Sequence, residues 1–258
     1  MKVERSCRVR VKTLLGDAVR LDLEVGDMVS ASWRGPGQFV HIKCGHSRLL
    51  RRPISVCTCQ RGAPDTLSIV FEVRGSGTEW LARREAGDKL DVLGLLGNGF
   101  PVRKEGRYLL AGGGIGVPPL LGCALETSGS TAVLGFRSQD KCLLAEEFQA
   151  ACAKVLLATD DGSLGYHGFV DALVRQELEQ DRAYTAVLAC GPKPMLKAVA
   201  AVAAQFQVPC QVSLEERMGC GVGACLVCAC KKSDGSMGHV CKDGPVFDAG
   251  EVDWNDEP

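Results

Sequence analysis

Neither sign of charge dominates this sequence. Its 258 residues set 30 lysines and arginines against 31 aspartates and glutamates, so nothing electrostatic calls for nucleic acid or an anionic membrane as a partner. Any partner is expected to be recognised locally. Long apolar runs are missing too, and the N-terminal Met1-Lys2-Val3-Glu4-Arg5 lacks the stretch that a secretory signal or membrane span would need. A cytoplasmic protein that makes no membrane contact is the expectation. There is no internal repeat, no low-complexity tract and no acid–base constellation suited to a small substrate, so no catalytic side chain is assigned.

Cysteine, by contrast, is plentiful, with 14 residues. In a small secreted protein that number would suggest a disulfide scaffold. In a chain of this size without an export signal the compartment is reducing, and clustered cysteines there more often hold metal. The length, with an apolar fraction of 46%, fits two domains and an appendage.

Residues 1–100 alternate apolar and polar side chains in short runs, as in Cys7-Arg8-Val9-Arg10-Val11 and Leu67 to Val73, punctuated by Gly16-Asp17 and Gly26-Asp27. Many short strands predict a small antiparallel β-barrel. Thr78 to Ala86 reads as one short helix stopped by Gly87-Asp88. From 101 to 212 apolar strands (Tyr108–Ala111, Thr131–Phe136, Val155–Ala158, Ala186–Cys190) alternate with helical segments. That pattern predicts an α/β domain with a parallel sheet of the nucleotide-binding type. Residues 213–258 hold five of the cysteines and show almost no periodicity, so a metal centre is the natural source of their order.

The spacing Cys220-x4-Cys225-x2-Cys228, followed after twelve residues by Cys241, is that of plant-type 2Fe-2S proteins. Glycines at 219, 221 and 223 let the loop wrap closely and turn backbone N–H groups toward sulfur. Tetrahedral zinc also suits four cysteines, although it usually takes paired C-x2-C knuckles. Cys230 lies outside the spacing, and most of the scattered cysteines read as small buried apolar residues.

Two further signals concern nucleotides. Arg52-Pro53-Ile54-Ser55 places an arginine able to clamp a pyrophosphate near a hydroxyl able to reach a phosphate or an isoalloxazine edge. The strand Val70-Phe71-Glu72 and the turn Gly75-Ser76-Gly77-Thr78 accompany it, the turn offering N–H donors; an ordinary hairpin with a capped helix reads equally well. Gly112-Gly113-Gly114-Ile115-Gly116 follows a strand and precedes Pro118-Pro119 and a helix, and Cys190-Gly191-Pro192 ends another strand. Both positions suit a diphosphate or nicotinamide, though the first is not the G-x-G-x-x-G fingerprint, and plain strand-to-helix turns would look alike.

Taken in order, the Arg-Pro-x-Ser motif, the Gly-Gly-Gly-Ile-Gly turn, the Cys-Gly-Pro turn and a cysteine cluster ending in Val240-Cys241-Lys242-Asp243-Gly244-Pro245-Val246-Phe247 resemble the ferredoxin-reductase superfamily. With Leu214-Glu215-Glu216-Arg217-Met218, the chain is similar to the electron-transfer subunits of bacterial NAD-dependent dihydroorotate dehydrogenase. The resemblance implies that Arg52, Pro53, Ile54, Ser55, Val70, Phe71, Glu72, Gly77 and Thr78 bind FAD. It implies that Gly112, Gly113, Gly114, Ile115, Gly116, Cys190, Gly191 and Pro192 line the NAD side, and that Cys220, Cys225, Cys228 and Cys241 hold the cluster. Ile54 stands where many superfamily members carry an aromatic residue. Cys190 then reads as packing near the nicotinamide, not as a nucleophile.

The implied function is electron transfer in pyrimidine (UMP) biosynthesis. Dihydroorotate is oxidised at FMN on a separate catalytic subunit, and electrons pass through 2Fe-2S and FAD to NAD, the flavin converting between paired and single electrons. A heterotetramer of two catalytic and two electron-transfer subunits is expected. A subunit of the same build serving a hydrogenase, a sulfide dehydrogenase or a ferredoxin-linked complex is the alternative, and a zinc-binding interaction module is the rival from another class.

Overall fold

A computed structural model describes residues 3–45 and 49–255; Met1 and Lys2, on which part of the N-terminal reading rests, lie outside them. The first hundred residues form a closed six-stranded antiparallel barrel. Its strands are β1 (Val3–Leu15), β2 (Ala18–Gly26), β3 (Phe39–Ile42), β4 (Arg52–Gln60), β5 (Asp65–Glu72) and β6 (Lys89–Leu96), with helices α1 (Met28–Ser32) and α2 (Ser76–Ala82) between them. The order around the barrel is β1-β2-β5-β4-β3-β6, and β6 closes back on β1. Alternation explains the closure. Leu21, Leu23, Val56, Ile69 and Val92 turn inward onto a core shared with Ile42, Leu81 and Leu90, while the residues between them face out.

The expected helix over Thr78 to Ala86 lies instead at Ser76–Ala82. The Thr78 hydroxyl accepts the backbone N–H groups of Arg74 (2.9 Å) and Gly75 (3.2 Å), which starts the helix two residues early. At its end the N–H groups of Arg83 and Arg84 bond to carbonyls only three residues back, a tightened last turn. Gly87 follows at φ +95°, a conformation that glycine adopts without strain.

The second sheet has seven strands in the order β10-β9-β8-β7-β11-β12-β15. Its parallel members are β7 (Tyr108–Gly113), β8 (Thr131–Phe136), β9 (Lys154–Thr159), β10 (Tyr166–His167), β11 (Ala186–Cys190) and β12 (Cys210–Ser213). Helices α3 (Pro118–Glu126) and α4 (Ala145–Ala151) cover one face, and α5 (Val170–Gln180) and α6 (Lys193–Gln205) cover the other. The all-apolar strands that the sequence showed follow from burial on both sides. Because β8 and β9 run outward on one side of β7 and β11 on the other, the strand order reverses between β7 and β11, where open parallel sheets bind ligands.

The C-terminal stretch is short on regular structure: β13 (Ala229–Lys231) and β14 (Met237–His239) form a two-stranded ribbon, and β15 (Val246–Asp248) pairs antiparallel with β12, Phe247 opposite Val212. Cys228, Val240, Cys241 and Phe247 bury into the core on the α5–α6 face of the sheet. The barrel grips the same stretch through Asn98. Its backbone N–H donates to the Gly244 carbonyl (2.7 Å), and its side-chain amide donates to the carbonyls of Lys242 (3.1 Å) and Asp243 (3.0 Å).

Candidate functional site

Three residue groups bear on function. Of the four cysteines singled out by spacing, Cys220, Cys225 and Cys228 lie in the loop between β12 and β13, and Cys241 follows β14. Backbone N–H groups converge on the sulfurs. Val222 (3.4 Å) and Ala224 (3.2 Å) donate to Cys220 Sγ, Gly223 (3.1 Å) donates to Cys241 Sγ, and Cys241 N donates to Cys228 Sγ (3.4 Å). Positive φ at Gly221 (+69°) and Gly223 (+81°) lets the loop curl tightly enough for this.

Charge is shaped there as well. Burial pushes the Cys220 thiol up, but the N–H groups of Val222 and Ala224 outweigh it and bring its pKa down to about 6. Burial, reinforced by Cys228, drives Cys241 up to about 12. Among the described residues no group of three or more His, Cys, Asp or Glu side chains is drawn together as a set that could hold a metal ion. A two-iron cluster requires four thiolates divided over its two irons, with N–H groups aimed at the sulfurs to stabilise their charge, and both are present here. The donor set therefore fits 2Fe-2S. Cys230 is buried in β13, its thiol raised by desolvation.

On the barrel, Arg52 and Pro53 open β4, and Ile54 and Ser55 pair with Val40 and Phe39 of β3. Arg52 lies across the start of α2: a Cβ on Gly77 would come within 2.4 Å of its Nε, so only glycine admits the guanidinium there. Arg52 Nη1 donates to the Leu50 carbonyl (2.7 Å), which holds the side chain in this position. The structure thus brings Arg52, Gly77 and Thr78 together. Thr78's hydroxyl is engaged by the turn, donating to the Gly75 carbonyl (3.0 Å) as well as accepting. Val70 and Phe71 are buried, Val70 in the core beneath α3 and Phe71 inside the barrel, so a ligand could meet only their backbone. Glu72 pairs with Arg74 (2.9 Å).

The third group lies at the β7–β11 reversal, where Gly112 is in register with Cys190. Gly113 ends β7, and Gly114–Gly116 form one turn of 3-10 helix leading to α3, whose first two residues are prolines. The two turns touch. A Cβ on Gly116 would stand 2.4 Å from the Cys190 carbonyl oxygen, and one on Gly113 would stand 2.5 Å from Met195 Sδ. Cys190 is buried and its thiol is pushed up to about 12 by desolvation, which leaves it protonated and poor as a nucleophile. A cavity of about 160 Å³ opens beside Gly191 and Pro192, reaching Glu215, Glu216, Cys230 and Lys231 of the C-terminal stretch.

Sequence reasoning missed two residues that join these groups: Asn98, and His41, which is buried beneath Gly221 of the cysteine loop. Neither sits in a motif. A histidine in the middle of a strand among apolar neighbours was the one available signal.

A family model described as the iron-sulfur cluster binding domain of dihydroorotate dehydrogenase B matches residues 215–253. The chain is 45% identical over 244 residues to the dihydroorotate dehydrogenase B (NAD(+)) electron transfer subunit of Geobacillus kaustophilus, covering 90% of this chain and 91% of that one. It is 41% identical to the protein of the same name from Geobacillus sp. strain WCH70, covering 98% and 99%. Among solved structures, a chain of an NADH-dependent reduced ferredoxin-NADP oxidoreductase superposes with a TM-score of 0.85 at 32% identity, covering 96% of this chain and 90% of that one. A ferredoxin NADP+ reductase from Neisseria gonorrhoeae with bound FAD and NADP gives a TM-score of 0.63 at 13% identity, covering 79% and 91%, and shares the fold.

Proposed function

Since this chain belongs to the electron transfer subunits of dihydroorotate dehydrogenase B, we propose that it serves the oxidation of dihydroorotate on a separate FMN-containing subunit, with NAD+ as the final acceptor. When bound, FAD and a 2Fe-2S cluster supply the route, the flavin exchanging an electron pair with the nicotinamide and the cluster taking electrons singly. The observation that carries this reading is the set of backbone N–H donors, from Val222, Gly223, Ala224 and Cys241, aimed at the sulfurs of Cys220, Cys228 and Cys241.

The chain's own residues would hold and orient these groups. Cys220, Cys225, Cys228 and Cys241 hold the cluster, and the N–H groups of Val222, Gly223 and Ala224 stabilise charge on its sulfur. Arg52 clamps the FAD pyrophosphate across Gly77, and Ser55, Pro53 and Ile54 line the flavin along β4. Glu72 and Thr78, with the backbone of Val70 and Phe71, close that side. Gly112 to Gly116 and Cys190 to Pro192 let NAD approach the sheet where the strand order reverses. Cys190 excludes water there without taking a proton.

The cysteine loop supplies the face toward the catalytic subunit. Cys225 is exposed, and so are the apolar side chains of its neighbours Leu226 (65%) and Val227 (55%), of the kind that protein contacts cover. A two-plus-two assembly follows the family. Cytoplasmic location is supported by cysteines that are all free thiols among the described residues, as in a reducing compartment; no helix there is long and apolar enough to cross a membrane. The test is to combine the purified protein with an FMN-containing dihydroorotate dehydrogenase catalytic subunit. Dihydroorotate-dependent formation of NADH that needs both chains is the expected result; a complex that forms no NADH would return the chain to service in another reductase complex.

A further inference from the structure

One buried side chain lies between the flavin motif and the cysteine loop and belongs to neither. His41, in β3, has 0% of its surface exposed, yet no partner completes a hydrogen bond with either Nδ1 or Nε2. Its backbone neighbours are Pro53 of the Arg-Pro-x-Ser motif on one side and Leu93 of β6 on the other. Above the ring stands Gly221, at φ +69°, where an added Cβ would come within 2.6 Å of Nδ1. The ring is admitted only because that residue is glycine.

Its surroundings decide what it can do. Burial lowers the imidazole pKa to about 4, with the positive charges of Arg51 and Arg52 adding to the effect, while the carbonyls of Arg51 and Cys220 approach the ring and favour a donated proton without aligned bonds to either. Arg51 is itself committed to Asp91 (2.9 Å) and Glu4 (2.7 Å). A neutral imidazole has one N–H, and two carbonyls compete for it. One belongs to the residue preceding Arg52 of the flavin motif, the other to the first cysteine of the loop. A buried donor with no partner is costly, and is tolerable where a further state of the site supplies the acceptor.

We propose that His41 is a positioning residue for the iron–sulfur centre: its ring N–H is donated to the Cys220 carbonyl in the cluster-loaded protein, fixing the cysteine loop against the strand that carries the flavin motif. The link runs from Pro53 through the β3–β4 pairing and the His41 ring to Cys220, so this side chain adds, on the Cys220 side of the cluster, to the hold that Asn98 has on the Cys241 side. The environment of the cluster sulfurs, and with it the reduction potential, is fixed by the same contact.

This rests on the cluster reading, and the test separates the two. Holoprotein carrying His41→Leu, His41→Gln or no substitution is assayed for iron and flavin. Each form is titrated by EPR-monitored reduction, and flavin-to-cluster transfer is timed after rapid reduction by NADH. His41→Leu with full iron and flavin should show shifted g values, a displaced midpoint potential and slowed flavin-to-cluster transfer. His41→Gln, which restores a donor, should return toward the unsubstituted values. Should His41→Leu fail to load a cluster, a His41→Gln protein that loads it supports the proposal, and one that fails equally overturns it. Unchanged signature, potential and rate in fully loaded His41→Leu would overturn the proposal alone, whereas unsubstituted protein without iron would overturn the cluster reading with it.

Discussion

The barrel and the cysteine segment solve the problem of order in opposite ways. The barrel closes six strands on themselves and fills the interior with Leu21, Leu23, Ile42, Ile69, Leu81, Leu90 and Val92, each of which stabilises by about 1.5–3 kcal/mol on burial. The segment after Ser213 has three strands of three residues each, and a two-stranded ribbon such as β13–β14 is marginal alone. Its order comes from being tied at its edges and along its loop: β15 to the sheet, Lys242 to Gly244 to Asn98, and cysteine sulfurs to backbone N–H groups. A region that packs for itself can present ligands on its rim. A region built around a ligand depends on that ligand for its shape.

Removing a cluster cysteine should break this comparison most visibly. In Cys225→Ser, electron transfer to and from the catalytic subunit should be abolished while NADH oxidation by artificial acceptors at the flavin persists, and proteolysis should attack residues 215–253 before the barrel. Loss of both activities would contradict the assigned order. Next in size is Arg52→Ala, which deletes a charge-assisted contact of about 1.5–3 kcal/mol. Titration of apoprotein with FAD should then show affinity weakened about 10- to 100-fold with iron content unchanged.

Gly116→Ala forces a methyl group to within 2.4 Å of the Cys190 carbonyl. Overpacking of about 1–3 kcal/mol should appear as a lower Tm and a raised KM for NADH, with flavin retained. The smallest effect belongs to the barrel's buried carboxylate. Burial raises the Asp65 pKa, but the amides of Ser30 and Gly62 and the Ser30 hydroxyl outweigh it and hold the carboxyl below its ordinary value. A depressed pKa in the folded state means stability present above the ordinary carboxylate range and lost as pH falls through the folded value. Asp65→Asn should therefore cost about 1 kcal/mol at neutral pH and flatten the acid limb of the denaturation profile; an acid limb as steep as before would assign it to other carboxylates.

What could be read in advance follows the same division. Thr131–Phe136 and Ala186–Cys190 were bounded correctly as strands because burial on both faces leaves an unbroken apolar run between polar ends. The cysteine set was visible because ligand spacing does not depend on secondary structure. β15 was invisible, since three residues carry no period and its reason for being a strand is the edge of β12. Helix α2 began earlier than its apolar pattern because a threonine hydroxyl, not a hydrophobic face, starts it. Phe71 shows the limit of motif reading: its neighbours in sequence mark a flavin strand, but the alternation of β5 turns its ring into the barrel. Asn98 and His41 act between regions that are distant in sequence, and only the folded chain brings them to the segment they hold.

The most direct test of the whole account is the absorption spectrum of anaerobically purified protein, with iron and flavin analysis, before and after NADH. Flavin and 2Fe-2S bands that bleach on addition of NADH are predicted. A colourless protein containing zinc would contradict the account and leave the four cysteines as a structural site.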